Sequence, residues 1–125
     1  MEWKFNFRDD GILETKAKGV FTIDDLRALV LQMISDSRWK PGINRLFNCI
    51  ELDAKTIDIN TMFNIGKIQQ EFVEELGGGR LAILVKNTID YGAGISYKDI
   101  VNEKIKSKVQ IFLNYDKATE WLKNP

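Results

Sequence analysis

The stretch Arg80-Leu81-Ala82-Ile83-Leu84-Val85-Lys86 decides the fold. Its apolar residues run without alternation between two cations. That is how a strand covered on both faces reads, and such strands are characteristically central, parallel and flanked by helices. The strand leads directly into Asn87-Thr88-Ile89-Asp90-Tyr91-Gly92-Ala93-Gly94. Thr88 is expected to cap a helix from Ile89 to about Lys104. Gly92 and Gly94 weaken its first turns and are expected to let it approach the sheet closely.

Working towards the N-terminus, Gly77-Gly78-Gly79 closes a helix expected from about Asn60 to Leu76, with Met62, Ile65, Ile68, Phe72, Val73 and Leu76 on its buried side. Glycine supplies the positive φ of a helix C-terminus at little cost. A phosphate-binding loop would follow a strand and open a helix, the reverse of this order. Glu51 to Asp58 reads as a polar connection after a short strand, Arg45 to Ile50. Before it, Trp39-Lys40-Pro41-Gly42 is a rigid loop. The first helix has a capping box: Thr22 as N-cap, Asp25 three residues on, and Phe21 with Leu26 as hydrophobic staple. Ile23, Leu26, Leu29, Val30, Met33 and Ile34 recur at helical spacing until about Ser35 to Ser37.

At the start of the chain, Trp3, Phe5 and Phe7 alternate with Lys4, Asn6 and Arg8, the period of a half-exposed strand. Asp9-Asp10-Gly11 is a turn signal, and Ile12 to about Lys18 pairs back as a hairpin. Downstream of the central strand, Val109 to Leu113 is the last strand. Asn114 or Asp116 starts a final helix docked by Ala118, Trp121 and Leu122. The order β-β-α-β-α-β-α-β-α defines one α/β domain over residues 1–125, with a five-stranded, mostly parallel mixed sheet and four helices.

The totals exclude much chemistry. The 125 residues contain no histidine and one cysteine, Cys49. Catalysis by Ser-His-Asp or Cys-His is removed, and zinc or iron–sulfur ligation is not expected. A lone thiol forms no internal disulfide, which fits a reducing compartment. Lys plus Arg equals Asp plus Glu at 18 each, so no charge excess points to nucleic acid. No run approaches the ~20 apolar residues of a membrane span, and no signal-peptide core precedes the first strand. The expected location is cytoplasmic. No cofactor and no metal are expected.

In open α/β sheets, ligands bind beyond the strand carboxyl ends near a topological switch point. Asn48 to Asp58, Asn87 to Gly94 and Asn114 to Asp116 are expected there. The candidate ligand or partner contacts are Asn48, Glu51, Asp53, Thr61, Asn87, Thr88 and Tyr91. The acidic loop of Glu51, Asp53 and Asp58 lacks EF-hand spacing and reads as solvated. Cys49 reads as a small buried hydrophobe.

Trp39-Lys40-Pro41-Gly42, Gly79 to Val85 running into Tyr91-Gly92-Ala93-Gly94, and Val109-Gln110-Ile111-Phe112 running into Ala118-Thr119-Glu120-Trp121-Leu122 resemble the SpoIIAA-like family of bacterial proteins. That group is related in fold to STAS domains (anti-sigma factor antagonists) and to the CRAL-TRIO lipid-binding domain. The resemblance spans nearly the whole chain and implies a sheet flanked by four helices with a regulatory or binding role. STAS antagonists carry Asp-Ser-Ser/Thr-Gly at the start of the second helix, where the hydroxyl is phosphorylated. The corresponding residues here are Asp58-Ile59-Asn60-Thr61-Met62, so Thr61 is the nearest hydroxyl and the serine and glycine are missing.

Three functions follow, in this order. The first is a non-enzymatic binding or regulatory module for a protein partner or a small apolar ligand. The second is a homo-oligomer, such as a homodimer, paired through the aromatic hairpin or a helix face. The third is an enzyme using Glu51, Asp53 or Asp58 as base.

Overall fold

Leu81, Ala82 and Leu84 are each at most 3% exposed, on a strand bonded to a neighbour along both edges. The structure, a computed structural model, describes residues 1–124. Its elements are β1 (Glu2–Phe7), β2 (Leu13–Val20), α1 (Ile23–Ile34), β3 (Arg45–Asp53), α2 (Ile59–Glu71), α3 (Val73–Leu76), β4 (Arg80–Leu84), α4 (Thr88–Val101), β5 (Lys108–Phe112) and α5 (Tyr115–Lys123). The five-stranded sheet has the order β1-β2-β3-β4-β5. β1 is antiparallel to β2, and the other pairs are parallel.

This strand order has a consequence for any site. Each crossover steps one strand in the same direction, and right-handed crossovers then place all connecting helices on one face. Leu26 and Val30 of α1, Met62 and Ile65 of α2, and Tyr97 and Val101 of α4 accordingly share one core with Leu13, Ala17 and Leu81. The opposite face is covered by α5 alone, through Ala118 and Leu122 against Ile12, Leu46, Ala82 and Leu84. The central-strand expectation therefore holds for burial on both faces. The strand order never reverses, however, so the expected switch point is absent.

Several boundaries differ from the sequence reading. β3 continues to Asp53, pairing Glu51, Leu52 and Asp53 with Lys18, Gly19 and Val20 of a longer β2. Glu51 to Asp53 are thus strand, not connection. Two steps along β2 (Lys16 to Lys18) match three along β3 (Asn48 to Glu51), so β3 carries a bulge. The bulge lets the strand run on past Ile50. The second helix is two pieces, making five helices rather than four. Phe72 breaks it at ψ 23°, and the following turn is tied elsewhere: Trp39 Nε1 donates to the Glu75 carbonyl at 3.0 Å, and the Gly42 N–H to the Leu76 carbonyl at 2.9 Å. α4 ends at Val101, with Lys104 in a following turn. Asn114, not Asp116, caps α5, accepting from the Lys117 N–H at 2.9 Å.

The triple glycine serves a backbone crossing. Gly77 has φ +75°, and Cβ atoms at Gly77 and Gly79 would stand 2.5 Å from Gly42 N and 2.3 Å from Gly42 O. Only glycine permits the loops at 40–43 and 77–79 to cross this closely.

Candidate functional site: an apolar cavity between the sheet and two helices

Thr22 caps α1 as read, accepting from the Asp25 N–H at 3.2 Å, and the aromatic face of β1 turns inward against that helix. Trp3 Nε1 donates to Gln32 Oε1 at 2.8 Å. The aromatic trio thus packs, half-buried, against its own fold. α2 and α4 complete the layer on this face. They touch where Gly66 meets Val101, and together they wall a cavity of about 670 Å³ with the sheet. That volume lies inside the ~300–1,000 Å³ span of small-molecule sites.

The sheet supplies Phe47 and Cys49 of β3 and the line Leu81, Ile83 and Val85. Alternation along β3 brings Arg45, Phe47 and Cys49 to the helix side. α2 contributes Met62 and Ile65, and α4 contributes Ile89, Ala93 and Gly94. Gly94 approaches β5 so closely that a Cβ would stand 2.9 Å from Ile111 Cγ2, whereas Gly92 meets nothing within 4 Å. The close-approach expectation holds for Gly94 and fails for Gly92, which faces open space.

Polar groups concentrate at two ends. The mouth has Asp53, Lys55, Lys86, Asn87 and Asp90. Most are engaged by backbone there. Asp53 Oδ1 accepts from the Lys55 N–H at 3.0 Å, Asn87 Oδ1 from the Asp90 N–H at 2.8 Å, and Lys86 Nζ donates to the Leu52 carbonyl at 3.5 Å. The other end holds Tyr97 and Gln69, with the Tyr97 hydroxyl donating to Gln69 Oε1. Burial pushes the Tyr97 hydroxyl up, against the pull of Arg45 and Gln69, so it remains a neutral donor. Gln69 also borders a tight space beneath, shared with Arg45, Val73, Leu76 and Ser107.

Arg45 is 8% exposed, and burial brings its guanidinium down to about 10, Tyr97 acting in the opposite sense. It is a cation at neutral pH. Nη2 donates to Ser107 Oγ at 2.9 Å, and among the described residues Nε has no partner. Cys49 is half-buried in the cavity wall, and burial, then the Asp90 carboxylate, pushes its thiol up. It is a neutral thiol, as the sequence reading had it.

Of the residues expected to meet a ligand, only Asp53 and Asn87 line the cavity. Asn48 is buried on the opposite side of β3, where its Oδ1 accepts from the Ile50 N–H at 3.1 Å and holds the bulge. Glu51 is exposed and stands 3.7 Å from Lys16. Thr61 lies in the first turn of α2; its N–H donates to Asp58 Oδ1 at 2.8 Å and its hydroxyl to the Thr56 carbonyl at 3.3 Å. Asn87 rather than Thr88 caps α4, because its carboxamide reaches the Asp90 N–H; Thr88 is the exposed first helical residue. Tyr91 packs half-buried against the core and does not face the cavity. The three carboxylates considered as bases are engaged separately: Glu51 near Lys16, Asp53 at the mouth, and Asp58 as the α2 cap, held below the usual range first by the Thr61 N–H. Among the described residues no three Cys, Asp or Glu side chains gather as a metal would require. Among the described residues no helix is long and apolar enough to cross a membrane.

A five-stranded mixed sheet with α1, α2 and α4 on one face and α5 on the other is the SpoIIAA-like fold. A crystal structure of an uncharacterised protein of the DUF3478 family with a SpoIIAA-like fold, from Shewanella loihica PV-4, matches this chain with a TM-score of 0.64. The match covers 97% of this chain and 92% of that one at 18% identity, a likeness of fold alone. No family model and no curated protein matches the sequence.

Proposed function

We propose that this protein is a non-enzymatic binding module that carries or senses one small apolar or amphipathic molecule in the cavity between β3, β4, α2 and α4. The observation that carries this reading is the cavity: about 670 Å³, walled by Phe47, Ile65, Ile83, Val85 and Ile89. An apolar space of that size forfeits contact energy when empty and is recovered by an apolar guest. The few polar groups at its ends suit orientation of a ligand more than chemistry on it.

The test uses the neutral fluorophore N-phenyl-1-naphthylamine. Saturable, blue-shifted fluorescence is expected with the wild-type protein. Ala93→Phe places a ring in the space and should weaken the binding by about tenfold or more, equivalent to roughly 1.4 kcal/mol. Absence of saturable binding, or equal binding by the folded variant, overturns the reading.

A further inference from the structure

Beneath the Tyr97–Gln69 end of the cavity lies an imbalance that the apolar walls do not explain. Arg45 opens β3 on the helix side, more than nine-tenths buried, and among the described residues it makes no ion pair. Its Nη2 meets only the neutral Ser107 hydroxyl, and its Nε meets nothing. A buried cation is costly unless paired and hydrogen-bonded. At 8% exposure the guanidinium keeps little contact with solvent to make up the missing partner.

Between Arg45 and the cavity stand Tyr97 and Gln69, hydrogen-bonded to each other. The Tyr97 hydroxyl is a donor now spent on the neutral carboxamide oxygen. The mouth, by contrast, mixes both signs: Lys55 and Lys86 with Asp53 and Asp90. An unpaired positive charge therefore lies behind the Tyr97–Gln69 end of the apolar cavity.

Resting on the binding reading above, we infer that the ligand is an anionic amphiphile of the monocarboxylate class, a single acyl chain inserted head first. Its carboxylate replaces Gln69 Oε1 as acceptor of the Tyr97 hydroxyl, and Gln69 turns its amide N–H groups to the second oxygen. Arg45 lies behind this pair and stabilises the head by charge across it. The chain runs outward past Ile83 and Val85 towards Ile89 at the mouth. No bond is made or broken.

Dodecanoate, dodecanol and dodecylamine are titrated as displacers of N-phenyl-1-naphthylamine, each below its micellar concentration. A charge-assisted hydrogen bond implies that dodecanoate binds wild type at least about tenfold more tightly than dodecanol. The acid-to-alcohol ratio should fall to within about twofold in Arg45→Met and part of the way in Tyr97→Phe. Arg45→Lys should retain a preference for the acid. Tyr97→Phe keeps the core volume, so it provides the readout if Arg45→Met does not fold. Equal binding of acid and alcohol by wild type, tighter binding of the amine, or a ratio unchanged in a folded Tyr97→Phe or Arg45→Met protein overturns the head-group assignment and leaves the apolar cavity standing. Failure of all three to displace a bound fluorophore overturns the assignment. Failure of the fluorophore itself to bind overturns the binding reading as well.

Discussion

Gly66 of α2 rests against Val101 of α4, and a Cβ at position 66 would stand 3.2 Å from Val101 Cγ1. This contact joins the two helices that wall the cavity. Gly66→Ala asks Val101 to give by a few tenths of an ångström while gaining about 0.5–1 kcal/mol of helix preference, so its stability should lie within about 1 kcal/mol of wild type. Gly66→Leu has no such room and should lose about 1–3 kcal/mol through overpacking. Urea unfolding checks both; a Gly66→Leu protein as stable as wild type would show that the helices are not in contact here.

Two other glycines provide opposite predictions from the same substitution. A Cβ at Gly79 meets the backbone oxygen of Gly42 at 2.3 Å, and backbone cannot rotate away as a side chain can. Gly79→Ala should destabilise by at least about 2 kcal/mol. Gly92 lies within α4 with nothing within 4 Å. Gly92→Ala should stabilise by about 0.5–1 kcal/mol. Thermal melts of the pair must move in opposite directions.

Cys49 should be slow to react. Its thiol is raised by burial and by Asp90, so little thiolate exists near neutral pH, and only thiolate attacks a disulfide reagent. Ellman's reagent should label the native protein far more slowly than the urea-unfolded protein at the same pH. Occupancy of the cavity should slow it further, since Cys49 is part of the wall. Equal rates for native and unfolded protein would place the sulfur at the surface.

Acid should weaken the fold through several carboxylates, and Asp36 is the clearest. The Arg38 side chain, then the Arg38 N–H, hold its carboxyl at about 2. Its pKa is lower folded than unfolded, so the folded state binds fewer protons at intermediate acidity. The stabilisation is present above about pH 4, the ordinary carboxylate value, and is lost as pH falls towards 2. Asp36→Asn should lower the urea midpoint at pH 7, and the gap to wild type should close as pH falls from 4 to 2. A gap independent of pH would mean that the carboxylate charge is not involved.

How much of this was legible in the sequence depends on what periodicity encodes. Leu81 to Val85 read as an interior strand, and Trp3, Phe5 and Phe7 as one face of a half-exposed strand, because alternation and its absence report which sides meet protein. The β3 extension was hidden because a bulge shifts alternation by one residue at Cys49-Ile50, making Glu51 to Asp53 look like loop. Asn87 and Thr88 are both good cap residues, and nothing in their order shows which side chain reaches Asp90. The cavity was invisible for a deeper reason. Ile65, Ile83 and Ala93 carry the same inward signal whether their neighbours touch them or leave a gap. Arg45 stood only as the first residue of a short strand, where charge is ordinary; its burial makes it informative.

The most direct measurement is a methyl NMR titration of the folded protein with dodecanol, a neutral guest that tests the cavity without reference to the head-group assignment. We expect saturable shifts at the methyls of Ile65, Ile83, Val85 and Ile89, and none at Ile12, Leu46, Leu84 and Leu122, which lie under α5 on the far side of the sheet. Shifts concentrated under α5, or no saturable shift at the first group, would contradict the cavity as the seat of binding.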